Sequence, residues 1–287
     1  MEIISNEKKY AEYIIENKIV DEKPYRTILI LAKYYYHFCE LQKKEIKQKI
    51  KAFIKNNYNR YIYNKIQWDD QIDSVVDKVK KYKLYDIDGI WVTQYELKAI
   101  SKISGKTLQR LAFSLLCLAK LGNQKSSKNN NWVNIDDKTI FKLARIHCTI
   151  PERDYKLHEL YKLGLVEFPR NLENLSVRLK FVNNESENKL FISDFRELGR
   201  EYLKYCGENY IRCERCGLLI KGNKKRNKKF CDGCAGYLKI QTKTVICIDC
   251  GKEFEVDSRN SKTTRCVVCQ SEKNKEVKRI WKRNSKK

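Results

Sequence analysis

With 287 residues and 42% hydrophobic content, the chain is long enough for two or three domains and apolar enough to bury a core, which excludes a disordered protein. Its 60 Lys and Arg against 36 Asp and Glu leave a formal charge of +24, which suits a densely anionic partner: nucleic acid, or less well an anionic membrane surface. Residues 1–7 have neither a basic start nor an apolar signal core, and the longest apolar stretches are interrupted by Lys33 or end at Lys120, so a soluble cytoplasmic protein without an export signal or membrane span is expected.

In chain order, the first 90 residues read as a small helical bundle. Asp21 and Pro24 open a helix whose Ile28, Leu31, Tyr35 and Phe38 recur at helical spacing. Further helices are predicted at residues 43–54 and 70–82, with Asp69 and Asp70 capping the latter. Thr93 and Glu96 form a capping-box pattern. The helix after Gly105 carries Leu108, Leu111, Ala112, Leu115 and Ala119 inward, with Gly122 as its stop.

Residues 122–131 are polar and read as structureless. A short strand at 132–135 follows, then a helix capped by Asp136 and a second capping box at Thr149 and Glu152. The helix it opens ends at Gly164, and strands are predicted at 165–168 and 175–182, where Val177, Leu179 and Phe181 alternate with Arg178 and Lys180. Helix, turn, helix and hairpin is the winged helix-turn-helix order. In that arrangement the second helix lies in a major groove with Arg153, Lys156 and Lys162 outward, and Arg170, Arg178 and Lys180 lie in the wing. Glu152, Asp154 and Glu159 on the same helix would repel phosphate, so protein contact or dimerisation stands as the other use of this domain. A third strand at 190–192 and a helix at 194–206, closed by Gly207, lead to a domain boundary.

Eight of the 12 cysteines then fall in four Cys-x2-Cys pairs: Cys213 and Cys216, Cys231 and Cys234, Cys247 and Cys250, Cys266 and Cys269. The unit occurs twice, and such pairs in a chain without an export signal favour thiolate metal ligation over disulfides. Each pair can turn two thiolates toward one ion, and the intervening segment has the length of a hairpin that returns the second pair. Gly217 and Gly251 follow the first pair of each unit, where positive φ lets backbone amides face sulfur. Iron is the competing metal, but knuckle spacing favours zinc, and four cysteines leave no open position for a catalytic water. Residues 212–271 resemble zinc ribbons, which implies two structural Zn2+ ions.

The charge is uneven. Residues 211–287 hold 22 basic and 8 acidic residues, a net +14, and the first 210 hold 38 and 28, a net +10. Within the first ribbon, Lys221, Lys224, Lys225, Arg226, Lys228 and Lys229 crowd a predicted hairpin tip. After the second, Lys278, Arg279, Lys282 and Arg283, with Lys286 and Lys287, surround Trp281 in a basic tail. Solvated solubility charge is the bland reading of both segments, and phosphate contact is the functional one.

No active site is legible. Gly105-Lys106-Thr107 lacks the earlier glycine and the preceding strand of a phosphate loop. His37, His147 and His158 form no metal or nucleophile pattern beyond the adjacent His147–Cys148, and Asp69, Asp70 and Asp73 are not a nuclease cluster. The expected fold class is mainly α (α+β): a helical domain at 1–90, a winged helix-turn-helix domain with flanking helices at 91–207, ribbons at 208–240 and 241–272, and a basic tail at 273–287. A non-enzymatic, nucleic-acid-binding protein is expected, with DNA favoured over RNA, acting in replication or transcription control. The competing class is an adapter that grips a host polymerase or defence component. In its Lys, Asn, Ile and Tyr-rich composition, winged-helix order and Cys-x2-Cys-Gly knuckles the chain resembles small proteins of phages and mobile elements in low-GC Gram-positive bacteria.

Overall fold

The computed structural model describes residues 3–58, 61, 65–169, 176–222, 228–239, 242–257 and 263–284, and of 237–239, 242, 257, 282 and 284 the backbone alone. It is mainly helical with small sheets and divides into two compact units, Met1–Tyr210 and Ile211–Lys287.

The N-terminal unit begins with four helices: α1 (Glu7–Asn17), α2 (Pro24–His37), α3 (Lys43–Asn57) and α4 (Lys65–Asp77). Isoleucines four apart build its core, with Ile46, Ile50 and Ile54 on α3 meeting Ile14, Ile28, Leu31, Ile72 and Val76. Helix α4 starts a turn earlier than its charges suggest, because Trp68 stacks edge-on against Tyr58 with ring centroids 5.5 Å apart. Asp69 and Asp70 therefore lie inside the helix and do not cap it; Asp69 accepts a hydrogen bond from the Tyr61 hydroxyl at 2.7 Å.

A second core in the same unit surrounds α6 (Lys106–Lys125), in which every residue from Leu111 to Leu121 is buried. A helix buried all round sits at the centre of its domain, and its polar residues need internal partners. Ser114 donates to the Arg110 carbonyl at 2.8 Å. Lys120 Nζ lies 2.8 and 3.0 Å from the two carboxylate oxygens of Glu96, which is fully buried. Glu96 belongs to α5 (Gln94–Ser101), closes its capping box by accepting from Thr93 N–H at 2.7 Å, and also accepts from Asn183 N–H at 2.9 Å. One carboxylate thus joins a helix cap, the central helix and a distant loop.

Gly122 does not end α6, which runs on to Lys125. A side chain at Gly122 would meet the Asn129 amide at 2.7 Å, so this glycine makes room for the loop, whose Asn129 donates to Asn123 and to the Trp132 carbonyl. Residues 127–129 form a 3-10 turn where no structure was expected.

Around α6 pack β2 (Trp132–Val133), α7 (Asp137–Leu143), α8 (Ile150–Lys162), β3 (Val166–Glu167) and β4 (Val177–Leu179), the strands forming an antiparallel sheet in the order β2-β4-β3. Asp136 caps α7 by accepting from Thr139 N–H at 2.8 Å, and Thr149 with Glu152 closes the box that opens α8. Val133, Val166, Val177 and Leu179 face the core, and Trp132, Arg178 and Glu167 are in cross-strand register on the other face.

A strand that the sequence did not suggest, β1 (Ile90–Thr93), pairs antiparallel with β5 (Asn188–Ile192), placing Trp91 opposite Phe191. The last helix of the unit, α9 (Leu198–Tyr205), is shorter than expected, since the residues before it make ion pairs: Asp194 with Arg196 at 2.7 Å, and Glu197 with Arg145. Gly199 packs on the Ala144 backbone, where a Cβ would come within 2.1 Å of the carbonyl oxygen.

The C-terminal unit repeats one pattern, a hairpin followed by a helix. The first copy has β6 (Tyr210–Arg212), β7 (Leu219–Lys221) and α10 (Asp232–Lys239); the second has β8 (Thr242–Ile246), β9 (Glu253–Asp257) and α11 (Val267–Asn284). The segment expected as a basic tail is therefore largely helical, continuous with the helix that carries Cys269.

Candidate metal centres

The sulfurs of Cys213, Cys216, Cys231 and Cys234 lie within 4.8 Å of one another, as do those of Cys247, Cys250, Cys266 and Cys269. The gap is 3.7 Å from Cys216 to Cys231 and 3.8 Å from Cys250 to Cys266. Four sulfurs about 2.3 Å from a tetrahedral zinc ion stand about 3.8 Å apart, whereas a disulfide holds its sulfurs at about 2.05 Å. Each cluster is thus proportioned for one zinc ion and could hold it, two per chain.

The local fold that builds the clusters is duplicated bond for bond. In the first, Gly217 N–H donates to the Cys213 carbonyl and Cys213 N–H to the Leu218 carbonyl, both at 2.9 Å; in the second, Gly251 to Cys247 and Cys247 to Lys252 do the same at 2.9 Å. Both glycines adopt positive φ, 70° and 68°, as the tight turn requires. Glu214 N–H donates to the Lys229 carbonyl and Ile248 N–H to the Thr264 carbonyl, which ties each knuckle to the segment leading into the second pair.

That second pair comes from the opening of a helix instead of a returning hairpin. Cys231 directly precedes α10 and Cys234 lies in its first turn; Cys266 directly precedes α11 and Cys269 lies in its first turn. A helix start is well suited to this task, because its free N–H groups and positive dipole end face the thiolates. Cys231 N–H points at Cys213 Sγ and Cys266 N–H at Cys247 Sγ, each at 3.3 Å.

These amides act on the first thiol of each cluster. Burial pushes the Cys213 thiol up, but the N–H groups of Cys231, Cys216 and Arg215 outweigh it and bring the thiol down to about 6. Amides of Cys266, Cys250 and Asp249 bring Cys247 to about 6 as well, against burial. The Cys234 thiol, bonded to the Cys231 sulfur and partly desolvated, is pushed up to about 12, and Cys269 is raised for the same reasons. Cys213 and Cys247 are thus ready to meet a cation as thiolates, and metal binding to such a site releases protons to solvent.

Two charge pairs that spacing did not reveal brace the knuckles: Glu214 with Lys229 at 3.3 Å, and Asp249 with Arg265 at 2.6 Å. Lys228 also pairs with Asp232, at 2.8 Å. Two of the candidate phosphate contacts therefore have carboxylate partners, while Lys224, Lys225 and Arg226 lie outside the described residues.

The other candidates divide sharply. Arg153, expected to point outward from α8, is 19% exposed and bonded to Asp137 of α7 at 3.1 Å; Arg178 is bonded to Glu167 at 2.8 Å. Lys156 is half-buried, Lys162 and Lys180 are exposed, and Arg170 is outside the described residues. On α11, Lys278, Arg279 and Arg283 are exposed and have no carboxylate partner among the described residues; the Lys282 side chain is not described. No helix of the described residues is long and apolar enough to cross a membrane.

Neither family models, nor curated proteins, nor solved structures gave a match to this chain.

Proposed function

We propose that the chain is a zinc-containing nucleic-acid-binding accessory protein, preferring DNA, that acts in replication or transcription control. The observation that carries this reading is α11: the second cysteine cluster roots it through Cys269, and Lys278, Arg279 and Arg283 on it are exposed, without a carboxylate partner among the described residues. An ion that fixes the root of a cationic helix presents those charges to a phosphate backbone at little entropic cost. The basic excess of residues 211–287 adds to it.

We infer further that residues 106–179 are a winged helix-turn-helix, supported by the element order α6-β2-α7-α8-β3-β4 and the strand order β2-β4-β3. With Arg153 and Arg178 engaged in ion pairs, Lys156, Lys162 and Lys180 are the candidates from the second helix and wing without a carboxylate partner among the described residues. The domain contributes less charge than the sequence promised, so α11 carries most of the affinity.

A salt titration on random duplex DNA tests the proposal. Log K is expected to fall linearly with log salt, and Lys278→Glu with Arg279→Glu and Arg283→Glu to reduce the slope by about 2.7, at about 0.9 per phosphate. Weak, salt-insensitive binding that the triple variant leaves unchanged would remove α11 from the account.

A protein adapter is the second reading, and one comparison between the repeats favours it. Where the first module has Arg212, Glu214, Asp232 and Gly233, the second has Ile246, Ile248, Val267 and Val268, which are 63%, 60%, 86% and 66% exposed. Val277, Ile280 and Trp281 extend apolar exposure along α11.

A further inference from the structure

Three aromatic side chains and two lysines line one cleft of about 700 Å³ in the N-terminal unit, between the end of α8 and the outer face of the β2-β4-β3 sheet: Trp132, Tyr161, Phe168, Lys162 and Lys180. The fold brings them together from four elements. Cross-strand register puts Trp132, Arg178 and Glu167 on the outer sheet face, and Lys180 follows Arg178 two residues on. Tyr161 and Lys162 end α8, and the Tyr161 ring sits 5.7 Å from Phe168.

Resting on the nucleic-acid reading above, we propose that this cleft holds an unpaired nucleobase of a single strand, stacked on the aromatic walls, with Lys162 and Lys180 on the flanking phosphates. The charge balance supports it. Among the described residues Glu167 is the one carboxylate lining the cleft and is neutralised by Arg178 at 2.8 Å, and neither lysine has an acidic partner. The walls therefore combine flat aromatic faces with a net positive charge, the combination that stacking platforms for single strands use. A purely apolar ligand would leave the two ammonium groups without a role, and paired bases in a duplex do not offer their faces.

Two properties follow from the lining. Recognition through ring faces tolerates any base, so sequence preference at this site is weak. A lone nucleotide gains only one stack and its own phosphate, so a strand binds far more tightly than a monophosphate.

The experiment uses the full zinc-loaded chain with a fluorescent oligothymidylate, a mixed-sequence duplex and thymidine monophosphate as competitor. Photocrosslinking of a 5-iodouracil strand is expected to map to Trp132, Tyr161 or Phe168. Tyr161→Ala, at a half-exposed position that the core does not need, is expected to weaken strand binding roughly 5- to 150-fold. Lys162→Ala with Lys180→Ala is expected to reduce the salt slope by about 1.4, at about 0.7 per single-strand phosphate. Strand affinity unchanged in both variants, or adducts confined to other residues, overturns the cleft; persistent duplex binding in that case leaves the nucleic-acid reading standing, and a parent chain that binds neither strand nor duplex removes both. Competition by the monophosphate at strand-like concentrations makes the ligand a free nucleotide and overturns the single-strand proposal.

Discussion

Chelation under reducing conditions is expected to unfold residues 211–287 and leave the helices of the N-terminal unit intact. The C-terminal unit has little apolar substance of its own: the core around the first cluster comprises Cys213, Ile220 and Cys231 with a few half-buried neighbours, and around the second Ile246, Ile248, Val267 and Val268 are exposed and Val245 and Val256 only half-buried. A structural zinc contributes about 10–16 kcal/mol of apparent binding free energy, well above what so small a core supplies. The N-terminal unit depends on two apolar cores that contain no cysteine cluster. Hydrogen exchange followed by peptide checks this. Amides from β6 to α11 should lose protection on chelation while those of α6 keep theirs, and equal loss in both units, or none in either, would be the wrong result for this account.

Breaking the Glu96–Lys120 pair is expected to have the largest effect on the N-terminal unit. Lys120→Met leaves a fully buried carboxylate without its cation, a change that costs about 3–5 kcal/mol when one partner of a buried pair is removed. For a unit of this size that lowers Tm by roughly 6–20 °C. Adding Glu96→Gln should recover part of the loss, because a neutral amide can still accept from a backbone N–H of Thr93 or Asn183 while no charge remains buried. Thermal denaturation of the zinc-loaded single and double variants measures both effects. A single variant as stable as the parent would show that the pair is not internal to the fold.

What was legible in the sequence was what is local. Capping boxes at Thr93 and Thr149, the Asp136 cap and the cysteine knuckles depend on residues a few positions apart, and each appears where its spacing placed it. Pairings across the chain were not. Lys120 read only as the end of an apolar run, since its partner lies 24 residues away, and β1 carries no alternation strong enough to announce the pairing of Trp91 with Phe191.

Charges were the least reliable guide. Asp69 and Asp70 resembled a cap but sit within α4, because Trp68 recruits the preceding turn. Arg153 resembled a groove contact but turns back to Asp137, one helix away. The final segment, counted for its lysines and arginines, contains Gln270, Glu272, Lys273, Lys275 and Glu276, all good helix formers, and the helix start that receives Cys266 continues through them. In both modules the second cysteine pair sits at the opening of a helix where a returning hairpin was expected.

The most direct test of the central claim is metal content. Elemental analysis of the purified full-length chain, prepared without added chelator, should give two zinc per chain, one for each four-cysteine cluster. One zinc, none, or iron in place of zinc would contradict it.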